Sequence, residues 1–204
     1  MRTILSPTSI LRVLAWILLS VSVVGCQAAT SFKPDEVGGL LLQPQEAPAG
    51  TIFRTDLSRR ATLEQFAQGF DELRSKWAEL VFQDGEVHIF MSTTSPGDPA
   101  GLTIGNGAMV FDTADHASQA LRLHRSLGVP HLTTGAVDVS VADLGDEAFA
   151  VRFDKGPEGT AGAICVVRVG NVVFLVPGSG PSLKPDDVIA IARTIATRAT
   201  AVHH

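Results

Sequence analysis

The chain has 204 residues, only two cysteines and a formal net charge of −5 at pH 7. An acidic chain without a run of lysine or arginine lacks the electrostatic footprint of a nucleic-acid-binding protein. A chain of this length can form a single domain that buries most of its apolar surface. We therefore expect no nucleic-acid partner, and a fold stabilised by a hydrophobic core rather than by disulfides.

The first 25 residues have the organisation of a secretory signal peptide. Arg2 and Arg12 form a cationic start, and residues 13–24 are apolar apart from two serines. The segment VVGC at 23–26 resembles the bacterial lipobox. This resemblance implies cleavage between Gly25 and Cys26, lipid attachment to the Cys26 sulfur and acylation of the new amino terminus. Several acyl chains would hold the mature chain, whose net charge is −7 without the two arginines, stably on the extracytoplasmic face of the cell membrane.

An uncleaved transmembrane anchor is the alternative interpretation of the same stretch. No charged residue lies in the twenty positions between Arg12 and Lys33, which is long enough to cross a bilayer. The second half of that run, GCQAATSF, is however too polar to face lipid readily. Both interpretations place the rest of the chain outside the cytoplasm, because the two arginines stay inside.

The mature chain is expected to begin with a polar tether over residues 26–37, followed by one α+β domain over 38–204. Within an irregular lead-in, residues 40–42 form an apolar triplet that should dock on the domain. A helix is predicted over 62–77, starting at a capping box formed by Thr62 and Gln65. Apolar residues recur there at steps of three and four. They are Leu63, Phe66, Phe70, Leu73 and Trp77.

The middle of the chain predicts alternating strands and helices. Asp84-Gly85 between two β-rich runs indicates a hairpin, and residues 102–113 indicate a strand. Asp112 or Thr113 can cap the helix that follows, and Gly128 and Pro130 are expected to end it. Two short strands are predicted within 137–154, broken at 144–146.

The last third predicts a hairpin with Gly170-Asn171 at its turn, and then a helix with Pro185 near its first position. Short links favour antiparallel pairing, and amphipathic helices must cover a sheet face. The fold class is therefore α+β, with antiparallel sheet or sheets covered by about three amphipathic helices. The buried stripe of the last helix is predicted to consist of Val188, Ile191, Ala192, Ile195 and Ala199.

Few residues suggest chemistry, and we predict neither a catalytic group nor a metal or cofactor. Cys165 lies in a β-branched run, where a cysteine usually packs as a small apolar residue. His116 and His124 are two helical turns apart, which is too far for one metal ion. All the histidines are accordingly predicted at the surface or at helix ends. They are His88, His116, His124, His131, His203 and His204.

The acidic and glycine-rich stretches are predicted to form turns, and not calcium-, dinucleotide- or phosphate-binding sites. Asp143, Asp146 and Glu147 form a cluster that is too short for a calcium loop, and Gly145 within it is expected to take an unusual backbone angle. The stretches GNG at 105–107 and GSGPS at 178–182 lack the residues of a dinucleotide or phosphate loop, and both are predicted to be turns.

The order of several segments does resemble a known group. LLQPQEAP, MVFDTADHASQAL, LGDEAFAVRF and VVRVGNVVFLV, followed by an Ala/Ile-rich helix, are similar to uncharacterised lipoproteins and extracellular sensor-type domains of bacteria, especially actinobacteria and their neighbours. The similarity covers roughly residues 38–201. It implies an α+β fold that binds an unidentified small molecule, lipid or protein without catalysis.

Three functions follow from the sequence. The first is a lipid-anchored, non-catalytic binding or sensor-type domain in the cell envelope. The second is an envelope hydrolase with a dispersed active site, and the third is a purely structural envelope component. A concave pocket that gathers convergent polar groups would favour the hydrolase, whereas an apolar pocket would favour binding.

Overall fold

A computed structural model describes residues 31–93, 101–157 and 159–202. The predicted signal peptide, the cleavage site at Gly25 and the lipidation site at Cys26 lie outside the described residues, as do His203 and His204. Among the helices of the described part, none is long and apolar enough to cross a membrane.

An antiparallel sheet of eight strands forms the middle layer, which confirms the predicted α+β class. Its strand order is β1-β3-β4-β8-β7-β6-β5, and β2 also pairs with β3. Every pairing is antiparallel. The strands are β1 (Thr51–Phe53), β2 (Arg59–Arg60), β3 (Phe82–Ser92), β4 (Thr103–Phe111), β5 (Val137–Val139), β6 (Glu147–Phe153), β7 (Gly162–Val169) and β8 (Val172–Ser179).

Helices cover both faces of this sheet, in a single domain. Four short α-helices and one π-helix lie on the first face, and α5 lies on the second together with the lead-in segment. The described part thus has five α-helices rather than the predicted three. They are α1 (Leu63–Ala67), α2 (Asp71–Glu79), α3 (Ala114–Leu123), α4 (Val129–Leu132) and α5 (Pro185–Ala201), with the π-helix at His124–Gly128.

Alternation along the strands divides the apolar residues between two cores. In β4, for example, Met109 and Phe111 face the four short helices, whereas Ala108 and Val110 face α5. Because β4, β7 and β8 are covered on both faces, nearly all of their side chains are buried. The sequences of these strands are accordingly almost continuous runs of apolar residues. Two helix layers therefore explain the high apolar content of these strands.

The predicted helix over 62–77 is in fact two helices, and this prediction of one continuous helix is wrong. The capping box of Thr62 and Gln65 starts α1 as expected. The chain then leaves the helical conformation at Gln68 (φ 50°) and Gly69 (φ 77°), and α2 begins after Phe70. Glycine takes a positive φ at little cost, which makes this sharp break possible. Leu73 and Trp77 are fully buried, but Leu63 and Phe70 are only partly buried.

Two glycine-based turn predictions are also wrong. Asp84-Gly85 lies inside the continuous strand β3, where an irregularity in the pairing with β4 occurs, and Gly105 to Gly107 lie inside β4. The reason is the ring of Phe66, which packs directly on the backbone at Gly85 and Gly107. A Cβ at either glycine would collide with that ring, so these glycines permit close packing of α1 on the sheet.

The second predicted helix starts as expected but does not end at Gly128. The Thr113 hydroxyl accepts a hydrogen bond from the His116 amide (3.2 Å), which caps α3. Helical backbone then continues without a break through the π-helix into α4, in which Pro130 occupies the first turn. Pro130 has no amide hydrogen to donate, and it lies where the hydrogen-bonding pattern changes from the π-helix to α4.

Three further predictions are confirmed. A turn at Gly170-Asn171 joins β7 to β8, β5 and β6 are separate strands, and Pro185 is the first residue of α5. The stripe of α5 is buried at four of its five predicted positions, with Ile191 partly buried. The stretch 178–182 is the end of β8 followed by a turn.

The lead-in segment packs on the second face of the sheet. Leu40, Leu41 and Leu42 are buried as predicted, but Phe32 and Val37 are buried as well. These last two residues fall within the stretch predicted to be a polar tether. The packed domain therefore begins no later than Phe32, because the side chains of Phe32 and Val37 are buried in the second core.

Candidate functional site

A cavity of about 310 Å³ lies on the first face of the sheet, between α1, α4 and the loop that joins β6 to β7. This volume is at the lower end of the range for small-molecule pockets. Most of the lining is apolar. The apolar residues and glycines that line it are Phe66, Val87, Ile89, Gly105, Gly107, Leu132, Phe153, Gly156, Pro157, Ile164, Leu175, Pro177 and Gly178.

Gly105 and Gly107 of β4, which carry no side chain, are part of the cavity lining. Gly105 and Gly107 point toward the first face, on which their strand neighbours carry large groups. The break between α1 and α2 turns the chain away at Gln68, which stands exposed at the margin of the cavity. Residues of α1, the break after it and β4 therefore border the cavity.

His124 lines this cavity and is the most unusual side chain in it. The residue is 2% exposed, and neither ring nitrogen has a hydrogen-bond partner. Its ring stacks on Trp77, with 5.8 Å between ring centroids, and lies beside Phe149. Burial lowers the pKa of the imidazole from 6.5 to about 4, so the ring is neutral at pH 7. A buried histidine without a hydrogen bond is costly and calls for an explanation.

This buried imidazole predicts a loss of stability in acid. His124 takes up a proton below about pH 6.5 in the unfolded chain, but only near pH 4 in the folded chain. The free energy of unfolding is therefore highest above pH 6.5, and it decreases as the pH falls from 6.5 to 4. The loss should reach roughly 3 kcal/mol below pH 4, and about 2 kcal/mol of it falls between pH 7 and pH 4.5. Urea midpoints at pH 7 and pH 4.5 measure it. His124→Phe should lose clearly less stability between these pH values than the wild type, and an equal loss would contradict the assignment.

A second polar group in the lining also has no partner. The hydroxyl of Thr160, in the loop between β6 and β7, is buried and makes no hydrogen bond within the described structure. The described part of the lining contains no aspartate, glutamate, lysine, arginine or cysteine. The lining is thus mostly apolar and uncharged, and its polar residues are Gln65, Gln68, Thr103, Asn106, His124, Thr160 and Ser179. The ring nitrogens of His124 and the Thr160 hydroxyl oxygen are themselves buried and have no hydrogen-bond partner among the described residues.

The remaining histidines divide between the surface and the core. His116 is partly exposed and bonds to Asp112 (2.5 Å), and His131 is exposed and stacks on Phe70. His88, by contrast, is buried on the second face, where Nδ1 lies 2.8 Å from the Leu42 carbonyl oxygen. The prediction that all histidines lie at the surface or at helix ends is therefore wrong for His88 and His124, which tertiary packing covers.

Cys165 and the acidic cluster take the structural roles predicted for them. Cys165 is fully buried and unpaired in the second core, and burial raises the pKa of its thiol to about 12. Gly145 takes a positive φ of 61° in the turn before β6. Among the described residues, no three histidine, cysteine, aspartate or glutamate side chains are grouped so that they could hold a metal ion.

The carboxylates of Asp146 and Glu147 are occupied by ion pairs. Arg168 bonds to Asp146 (3.0 Å) and to Glu147 (3.2 Å), and the Ser118 hydroxyl donates to Glu147 (2.5 Å). Burial opposes ionisation of Glu147, but the hydroxyl and the guanidinium groups of Arg168 and Arg122 outweigh it and lower its pKa. These contacts join the start of β6 to the end of β7, where Glu147 and Arg168 are paired in register.

Sequence reasoning did not find the cavity or the role of His124. The only local signal was the residue pattern LRLHRSL, in which a histidine continues the apolar side of α3 instead of its polar side. Whether that side faces a filled core or a cavity depends on the distant Gly105 and Gly107, which no local pattern reveals.

The fold and the cavity define a three-layer α+β domain with a small apolar pocket under one helix layer. Among solved structures, it is similar to the extracellular domain of PknH from Mycobacterium tuberculosis, with a TM-score of 0.56 and 16% sequence identity. The similarity covers 85% of this chain and 99% of the other. No protein-family model and no curated protein matches the sequence.

Proposed function

We propose that this protein is a lipid-anchored, non-catalytic binding protein of the cell envelope, with the cavity under α1 as its ligand site. The observation that carries the proposal is the apolar cavity of about 310 Å³, whose described lining has no charged group and no cysteine. Such a lining favours binding over hydrolysis, because general acid–base or nucleophilic catalysis needs an activated polar group beside the substrate.

Two independent features support the location. The VVGC segment after an apolar run resembles a lipobox, and the fold is similar to the extracellular domain of PknH. The domain itself is acidic and lacks a basic patch in its sequence, which disfavours direct adsorption to an anionic bilayer. The lipid on Cys26 would therefore be the attachment to the membrane.

The anchor is tested by Cys26→Ser. We expect this variant to incorporate no label from a clickable fatty acid and to accumulate as the uncleaved precursor, since the thiol is the attachment atom. Cys165→Ser, the matched control at the other cysteine, should label and mature like the wild type provided that it folds. Labelled, mature Cys26→Ser protein would contradict the anchor.

The ligand site is tested with N-phenyl-1-naphthylamine, whose fluorescence rises in an apolar site. The protein used is the mature chain from position 26 onward with Cys26→Ser, which is free of lipid. We expect saturable binding that Ile89→Trp abolishes, because Ile89 lines the cavity and the larger ring would fill it. The control is Val137→Trp, at a position that is 47% exposed on the edge strand β5.

These two tryptophan variants separate the cavity from general surface adsorption. Equal binding by both variants would show that the probe binds elsewhere on the domain. Absence of saturable binding by the wild-type chain would contradict a ligand site and would favour the structural envelope component.

A further inference from the structure

We infer that the domain is held with its cavity directed away from the anchoring membrane, so that the ligand enters from the aqueous side of the envelope and not from the bilayer that holds the protein. This inference rests on the proposed function, because it uses both the attachment at Cys26 and the cavity as the ligand site. The place where the chain enters the fold, the length of the tether and the charge of the domain support it.

The chain enters the fold at one end of the sheet. Phe32 is buried, and its amide donates to the side-chain oxygen of Asn171 (2.7 Å). Asn171 lies at the turn between β7 and β8, and its backbone carbonyl accepts from the amide of Phe111, the last residue of β4. We call this end of the sheet, where β4 and β7 finish and β8 begins, the tethered end.

The cavity opens toward the opposite end of the sheet, which we call the cavity end. Its lining includes Thr103 at the start of β4, Ser179 at the end of β8 and residues of the loop that joins the end of β6 to the start of β7. The lining residues that are exposed to solvent are Gln65, Gln68, Pro157 and Pro177. The cavity also lies on the first face of the sheet, whereas Phe32 packs in the second core. Attachment and opening are therefore on opposite ends and opposite faces of the sheet.

The tether is too short for the domain to turn over. Cys26 is six positions before Phe32, and even a fully extended chain of that length spans only about 20 Å. If the cavity end rested on the bilayer, Phe32 would be raised by at least the length of β8. A strand of eight residues is about 26 Å long. The tether therefore keeps the cavity end from taking the place of the tethered end at the membrane.

The charge of the domain favours an upright orientation over one in which the domain lies on its side. The mature chain has a net charge of −7, because the removed segment carries two arginines of a chain whose charge is −5, and anionic lipids repel such a body. Near the tethered end, Asp35, Glu36 and Asp112 are exposed and outnumber the exposed Lys33, so that end does not adsorb either. A body that is repelled as a whole and held at one end keeps that end nearest the bilayer.

The helix α5 offers two labelling positions, one near each end of the sheet. Its start lies at the cavity end, where Val188 packs against Gly178 of β8, and its last turn borders a shallow pocket with Gly145, in the turn before β6. Ser182 precedes the helix and Val202 follows it, and both residues are exposed. A helix of 17 residues is about 25 Å long, so dyes at these two positions should lie at clearly different heights above the bilayer.

The experiment measures energy transfer from each position to the membrane surface. The mature chain from position 26 onward is coupled through Cys26 to a maleimide lipid in vesicles of phosphatidylcholine and phosphatidylglycerol that carry an acceptor dye on their headgroups. Cys165 is buried and does not compete for the coupling. A donor dye is attached through a clickable amino acid that replaces either Val202 or Ser182. We expect more transfer from position 202, with a difference in height of about 20 Å.

A lengthened tether is the control. A flexible Gly/Ser segment of about 20 residues inserted after Thr30 should bring the two transfer efficiencies close together, because the domain can then turn freely. Equal transfer from the two positions in the unmodified tether, or more transfer from position 182, would overturn this inference. A difference that the inserted segment leaves unchanged would overturn the role of the tether. The coupling is chemical, so none of these outcomes bears on lipidation of Cys26 in the cell or on ligand binding, which Cys26→Ser and the tryptophan variants test separately.

Discussion

Trp77→Ala is expected to lower the free energy of unfolding by about 3–5 kcal/mol, the usual cost of removing a large aromatic side chain from a core. Trp77 is fully buried in α2, and its indole N–H donates to the Ala120 carbonyl of α3 (3.2 Å). Its ring also supports His124 by stacking. The substitution therefore removes packing, a hydrogen bond and the support of the cavity wall together.

Urea unfolding of the lipid-free mature chain measures this effect. Ser75→Ala, at an exposed position of the same helix, is the control and should change stability little. Phe70→Ala should cost less than Trp77→Ala, because Phe70 is only partly buried and precedes α2 rather than lying within it. A cost for Phe70→Ala equal to that for Trp77→Ala would contradict the partial burial of Phe70.

Asn171→Leu is expected to cost about 3 kcal/mol or more, because it removes three buried hydrogen bonds between a side-chain amide and the backbone. The Asn171 amide accepts from the Phe32 N–H (2.7 Å) and donates to the carbonyls of Phe32 (3.1 Å) and Phe111 (2.7 Å). These bonds join the lead-in segment to the turn between β7 and β8, across 139 positions of the chain. We expect the variant to loosen the lead-in as well as to lose stability.

Hydrogen exchange of the amides at 32–42 together with urea midpoints measures both consequences. Gln45→Leu makes a comparable amide-to-leucine change at an exposed position of the lead-in and should leave both quantities close to the wild type. If Asn171→Leu lowers the midpoint without faster exchange at 32–42, the amide stabilises only the turn, and the lead-in is held by other contacts. Those contacts include the bond from Arg198 to the Leu41 carbonyl (2.8 Å).

Local patterns in the sequence predicted much of the secondary structure. The cap at Thr113, the turn at Gly170-Asn171 and the start of α5 at Pro185 were all correct, because each depends on residues a few positions apart. The α+β class and the burial of Cys165 also followed from local composition. Such signals act through backbone geometry and side-chain type alone, so they need no knowledge of distant neighbours.

Glycines show where this reasoning stops. Gly85 and Gly107 suggested turns, yet both lie in strands, where they accommodate the ring of Phe66. Gly128 suggested a helix end, yet the helical backbone passes through it and its missing side chain leaves space for His124. A glycine marks either an unusual backbone angle or a close approach, and the sequence alone does not distinguish these two uses.

The candidate site belongs to the part that only the tertiary structure determined. Sequence by itself determined the class of fold, the elements with strong caps or turns, and the acidic charge of the chain. The cavity is lined by residues from α1, α4, several strands and the loop between β6 and β7, and the burial of His124 depends on Trp77 and Phe149 from other elements. The burial of His124 and its lack of a hydrogen-bond partner depend on segments far apart in the chain, which come together only when the chain folds.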